Sequence, residues 1–224
     1  MEKRVIKRAR KIFSKGILGK IYRYLQSFYS VNVCNIKGTN LVYIPLSKNA
    51  NTTIRTIIYE LNEGISAKGV NIYSQYNFPR INRFKLKKTY NFTFVRNPYD
   101  RLISFYQEKV KKNDPRIKQY GLNSEMSFED FVRIICKVPD NKLDKHANSQ
   151  YYQIKNLKID FIGKVGNLDK DLKKVLSKAN LTIKEIPQKN KSKKILSRHD
   201  ISEELKDLIY QRYKNDFQKF NYSR

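Results

Sequence analysis

An α/β fold, with a mostly parallel central sheet flanked by helices, is predicted by three places where an apolar run passes directly into a helical pattern. Leu41 to Ile44 lead into a helix near Asn51, Phe92 to Val95 into one at Pro98, and Ile159 to Val165 into one after Asn167. Such alternation builds parallel sheets, because each helix carries the chain back to begin the next parallel strand. At 224 residues, 40% of them hydrophobic, the chain suits one domain with a substantial core. The expected division is a basic amphipathic segment, 1–35, followed by a single domain, 36–224.

The first strand ends at Pro45, and Ile54, Ile57, Ile58 and Leu61 then fall on one helical face. Between them lie Lys48, Asn49, Ala50, Asn51, Thr52 and Thr53. A loop that turns a strand into a helix presents free N–H groups and the positive end of a helix dipole, which together attract an anion. Lys48 adds a full charge, and the two threonines add hydroxyl donors. An ordinary turn with a lysine and two capping threonines has the same letters. It is not a Walker A loop, which needs Gly-x-x-x-x-Gly-Lys-Ser/Thr; an ATP-using kinase of related fold is a disfavoured alternative for that reason.

The second strand, Phe92 to Val95, delivers Arg96 at its C-terminal end. Asn97 suits the N-cap and Pro98 the first helical position, and Arg101 and Ser104 stand three apart on one helix face. Lys111 to Glu125, broken by Pro115 and Gly121, predicts a surface loop. Ser127 caps a helix carrying Phe128, Phe131, Val132 and Ile135, with Asp130 in a capping-box position. A polar connection holding Asp144, His146 and Gln150 leads to the third strand. Asn167 is then expected to cap a helix with Leu168, Leu172, Val175 and Leu176 inward. A basic loop over 184–198 follows, and Asp200 and Glu203 open a last helix carrying Leu205, Leu208, Ile209 and Tyr213.

Lys-x-Ala-x-Thr-Thr after a hydrophobic strand resembles the 5′-phosphosulfate loop of sulfotransferases that use 3′-phosphoadenosine 5′-phosphosulfate (PAPS). Arg96-Asn-Pro-Tyr-x-Arg101-Leu-x-Ser104-x-Tyr, beginning 48 residues after Lys48, is similar to their 3′-phosphate segment. Downstream, Asp-x-His-x-x-x-Gln, Asp-Phe-Ile-Gly-Lys-Val, Asn-Leu-x-x-Asp-Leu and the ending Tyr-x-x-Asp-Phe-x-x-Phe-x-Tyr222 resemble carbohydrate sulfotransferases of the family 2 type. The resemblance implies a P-loop NTPase-like sulfotransferase fold and transfer of a sulfuryl group from PAPS, leaving 3′-phosphoadenosine 5′-phosphate (PAP), to a hydroxyl of a glycan or glycolipid without a metal. It implies donor binding by Lys48, Asn49, Ala50, Asn51, Thr52 and Thr53 at one end, and by Arg96 and Ser104 at the 3′-phosphate. Lys48 would also be catalytic, neutralising charge on the bridging oxygen.

The chain departs from the family's pattern in three places. Asn97 stands where an Asp is frequent, Gly166 where a Glu is frequent, and no histidine lies between 62 and 90, where some members place a catalytic one. The general base must come from elsewhere. His146, with Asp144 two residues away, is the candidate, because histidine titrates near neutrality and His199 abuts a helix cap. Glu60 and Glu108 are the carboxylate alternatives.

A net charge of +27, from 47 basic against 20 acidic residues, calls for anionic partners beyond one small donor. Nine basic residues within 1–23, interleaved with Val5, Ile6, Ile12, Phe13 and Ile17, predict peripheral contact with an anionic membrane, or else a basic helix packed on the domain or a disordered arm. A basic nucleic-acid-binding protein is the third-ranked alternative, suggested by the charge and kept open by 16 tyrosines, but no recognised binding motif accompanies the charge and nucleic acid is not expected as a partner. Cys34 and Cys136 lack metal-ligand spacing, no apolar run of about 18 residues exists, and the Asn51 and Asn91 glycosylation patterns fall in the loop and in a buried strand. These features predict a bacterial-type soluble protein of the cytoplasm, peripheral at the inner face of the membrane. The acceptor has no readable code: there is no Trp to stack on a sugar.

Overall fold

The computed structural model describes residues 30–74, 76, 78–183, 186 and 196–224. The basic segment 1–23 and Lys184, Lys189, Lys191, Lys193 and Lys194 of the basic loop lie outside the described residues.

The order is β1 (Ser30–Asn32), β2 (Cys34–Asn35), β3 (Leu41–Tyr43), α1 (Asn51–Glu63), β4 (Arg80–Asn82), α2 (Arg83–Leu86), β5 (Tyr90–Val95), α3 (Pro98–Phe105), α4 (Phe128–Lys137), α5 (Gln150–Ile154), β6 (Phe161–Lys164), α6 (Leu168–Leu176), α7 (Glu203–Arg212) and α8 (Lys214–Lys219). A π-helical turn, Tyr106–Val110, extends α3.

Four strands form the central sheet in the order β2-β3-β5-β6. The three strands expected from sequence pair in parallel, Leu41 opposite Tyr90 and Phe92 opposite Phe161. The sheet is nonetheless mixed. Cys34 and Asn35 add β2 antiparallel to β3, and β1 with β4 makes a separate antiparallel ladder.

Period-2 alternation divides the strand side chains between two faces. Leu41, Tyr43, Phe92 and Phe94 pack against Ile54, Ile57 and Ile58 of α1 and Leu172, Val175 and Leu176 of α6. Val42 and Ile44 meet Leu86 of α2, while Val95 meets Ile154 of α5 and Phe220 just beyond α8. Helices thus cover both faces of the sheet. A second apolar core lies among the helices: Leu102 and Phe105 of α3, Phe131 and Ile135 of α4, Leu205 and Ile209 of α7, and Phe217 of α8.

Asn97 and Ser127 cap α3 and α4 as expected, accepting from Tyr99 N and Asp130 N. Asn167 does not cap α6 with its side chain, because the tight turn Val165–Asn167 leaves it outside the extended conformation a cap needs. Asp171 instead reaches back to accept from Lys164 N at 2.8 Å. Ser202, not Asp200, caps α7, and Asp200 closes a capping box on Ser197 one turn earlier. The segment 111–125 is more than a surface loop: a 3-10 turn, Pro115–Tyr120, buries Ile117, and Leu122 follows it into the helical core. Among the described residues no helix is long and apolar enough to cross a membrane.

Candidate active site

The loop between β3 and α1 is held without glycine in a conformation that glycine would favour. Lys48 and Ala50 both have positive φ, 71° and 54°, a left-handed conformation that costs roughly 1–2 kcal/mol for a residue with a Cβ. Strain of this kind concentrates at functional sites. Ala50 stands at the N-cap of α1, and no side chain caps the helix. The first-turn amides, at Asn51, Thr52 and Thr53, have no carbonyl one turn back to bond. The result is an open, electropositive helix start.

Each predicted loop residue has a definite place. The Lys48 side chain is only 5% exposed and its Nζ lies 2.5 Å from Glu108 Oε2. Asn51 accepts from Arg55 Nε at 2.9 Å, Thr52 Oγ1 shares a 3.0 Å hydrogen bond with Tyr73 OH, and Thr53 is buried. Asn49 is wholly buried and donates to Phe94 O and Gln150 Oε1 at 2.8 and 2.7 Å. Its side chain is a strut inside the loop, so a ligand could meet Asn49 through its backbone alone.

Arg96 leaves the end of β5 beside this loop, its Nη1 3.4 Å from Lys48 O. Ser104 Oγ lies 3.5 Å from Glu108 Oε1, so Lys48 and Ser104 meet the two oxygens of one carboxylate. Arg101 does not share the half-buried face of Ser104. It is buried, and its guanidinium donates to Ser47 O, Lys145 O and Asn148 O, tying the loop to the segment that carries His146.

His146 pairs through Nδ1 with Asp144 Oδ1, which also accepts from His146 N, and its ring stacks on Phe105. Burial pushes the imidazole pKa down; the Asp144 carboxylate pulls it up, Lys48 and Lys109 lower it further, and the net direction is down. Asp144 is held at about 2, chiefly by its hydrogen bond with His146. Glu60 is occupied elsewhere, accepting from Ala67 N at the far end of α1. His199 lies in the turn Arg198–Asp200, whose Arg198 clamps Asp100 at 2.6 and 2.8 Å.

Burial lowers the pKa of Lys48, and the hydrogen bond and charge of Glu108 restore part of it. Burial also raises the Glu108 carboxyl, but Lys48, Lys112 and Arg96 outweigh it and leave that pKa below its ordinary value.

The Lys48 loop and the end of β5 are joined by Gln150, which the sequence does not mark as a site residue. Gln150 is completely buried, and its amide uses all four of its hydrogen-bonding positions. Oε1 accepts from Asn49 Nδ2 at 2.7 Å and Arg96 N at 2.9 Å, and Nε2 donates to Arg96 O at 2.8 Å and Asp216 Oδ2 at 3.1 Å. Asp216 also accepts from Gln150 N and Tyr151 N, closing the start of α5. A signal was present: Gln150 ends the Asp-x-His-x-x-x-Gln run, and Asp216 is an acid inside an aromatic C-terminal pattern.

Residues 35–223 match the sequence model of the sulfotransferase family. Mouse and rat carbohydrate sulfotransferase 11 are each 28% identical to this chain over 194 residues, covering 72% of it and 54% of the relative. The chain therefore spans about half the length of the curated relatives it matches. No solved structure matches it. A family match running from β2 through α8 takes in the strained Lys48 loop, the Arg96 strand end and the Gln150 junction together, and by it the chain belongs to the sulfotransferase family.

Proposed function

We propose that this protein transfers the sulfuryl group of PAPS to a hydroxyl of a glycan or glycolipid. The observation that carries the reading is an uncapped helix start, preceded by a loop with a buried lysine, beside a second strand end that supplies Arg96. These residues fit a donor with phosphate at two ends. Lys48 and the first-turn amides of α1, with Thr52 and Thr53, would hold the 5′ end, and Arg96 and Ser104 the 3′-phosphate. The names of the mouse and rat relatives support a carbohydrate acceptor.

PAPS, when bound, supplies an electrophilic sulfuryl group on a phosphate leaving group. Lys48 places a positive charge where negative charge develops, and does so from a buried position where it is little screened. His146 takes the acceptor's hydroxyl proton at Nε2, while Asp144 on Nδ1 fixes the ring and stabilises the imidazolium. Gln150 keeps the two binding segments at a set separation, so that donor and base share one geometry.

The test is thermal stabilisation. A ligand of the folded state alone raises the melting temperature by mass action, so PAP should do so with or without magnesium. Adenosine 5′-phosphosulfate, which lacks the 3′-phosphate, should do much less. Equal shifts from the two compounds would remove the role given to Arg96 and Ser104.

A further inference from the structure

We infer that Glu108 is a stand-in for the donor's anionic group: it neutralises Lys48 between turnovers and must release that ammonium when the phosphosulfate of a donor claims it. The inference rests on the reading of this site as a PAPS site. Lys48 is nearly enclosed, and an enclosed ammonium without a counter-charge is costly. Among the described residues, Glu108 is the carboxylate in ion-pair contact with it. The neighbouring Lys109 is bound to an acid of its own, Asp114, at 2.6 Å.

The position of the carboxylate is as informative as its charge. Its two oxygens face Lys48 Nζ and Ser104 Oγ, two groups assigned to opposite ends of the donor. A carboxylate that stays there repels the anion that both groups are meant to bind. It is free to leave: the Glu108 side chain is 46% exposed, whereas Lys48 is walled in. Rotation about the Glu108 side-chain bonds moves its charge into water and leaves the ammonium in place for the incoming anion. Exchange of one anion for another keeps Lys48 charged and oriented throughout, and the apparent affinity for the donor falls in proportion to the fraction of molecules in which Glu108 holds the site.

Glu108→Gln keeps the shape and removes the competing charge. PAP should bind this variant about tenfold more tightly than wild type by calorimetry, equivalent to about 1.4 kcal/mol, while the variant without PAP should melt at a lower temperature. PAP affinity that is unchanged or weaker overturns the inference; unchanged affinity with turnover reduced by about 10² or more would make Glu108 the general base instead. If PAP stabilises neither protein, the PAPS reading fails and this inference with it. Binding of PAP to both with equal affinity sinks only the inference. Should Glu108→Gln not fold, Lys48→Gln added to it removes the stranded charge: recovery of folding supports the pairing, and no recovery overturns it.

Discussion

Lys48 and Arg96 are 48 residues apart in sequence and meet through a 3.4 Å contact, yet they are assigned different work. In the proposed reaction Lys48 acts on charge that appears in the transition state, so Lys48→Ala should lower kcat by roughly 10²–10³. In the same reading Arg96 binds a phosphate that does not react, so Arg96→Ala should chiefly raise KM for PAPS. Steady-state kinetics separates the two, and the reverse pattern would exchange the assignments. His146 carries a pH signature. As a base it must be neutral, and its lowered pKa means that the rate should rise with pH, reach half its plateau below 6.5, and stay flat above. The same shift makes stability pH-dependent: the unfolded chain takes up a proton near pH 6.5 that the half-buried ring resists, so this contribution is complete above 6.5 and is lost as pH falls through the lowered pKa. Melting temperatures of wild type and His146→Gln should converge in that acid range. Side-chain type made His146 legible as a candidate, while Lys48, Arg96 and Ser104 were legible through the resemblance of the two motifs that hold them. Glu108 was legible only as a spare carboxylate, because an acid four residues beyond Ser104 has the same pattern as a solvated helix face.

Between elements, the joint is polar. Gln150 and Asp216 connect the β3–α1 loop, the end of β5 and the starts of α5 and α8. Gln150→Leu would leave several buried groups without partners, each costing about 1–3 kcal/mol. We expect a loss of roughly 3 kcal/mol in a urea melt and a raised KM for PAPS, since Arg96 loses its backbone anchor. A second close fit is apolar. A Cβ on Gly163 of β6 would lie 2.4 Å from Phe94 Cε1, inside a fully buried ring. Gly163→Ala should therefore cost about 1–3 kcal/mol through overpacking. The three parallel strands and the helices after them were legible because each has an apolar period over at least four residues. Strands β2 and β4 were not: two or three residues cannot show a period. The joint at Gln150 was hidden for another reason, since its partners come from segments up to 101 residues away.

For the whole molecule, the charge of +27 should shape how the proposed anionic donor arrives. Raising ionic strength from about 0.01 M to about 0.15 M shortens the Debye length from roughly 30 to roughly 8 Å. The PAP association rate should fall accordingly in stopped-flow measurements, with dissociation changing little; a salt-independent association rate would show that the excess charge does not serve this site. The overall α/β class and the family were both readable from strand-to-helix alternation and two phosphate-type motifs. The antiparallel additions to the sheet and the helical second core were not, because they depend on contacts that no local pattern records. The most direct measurement of the central claim is transfer of label from sulfur-labelled PAPS to a mixed set of glycan acceptors, run side by side for the wild type and Lys48→Ala. The expected result is label in the glycan with wild type, recoverable as sulfate ester, and a loss of roughly 10²–10³ with Lys48→Ala. Wild-type protein that binds PAP and transfers no label to any hydroxyl acceptor, or a Lys48→Ala variant that transfers it equally fast, would contradict the account.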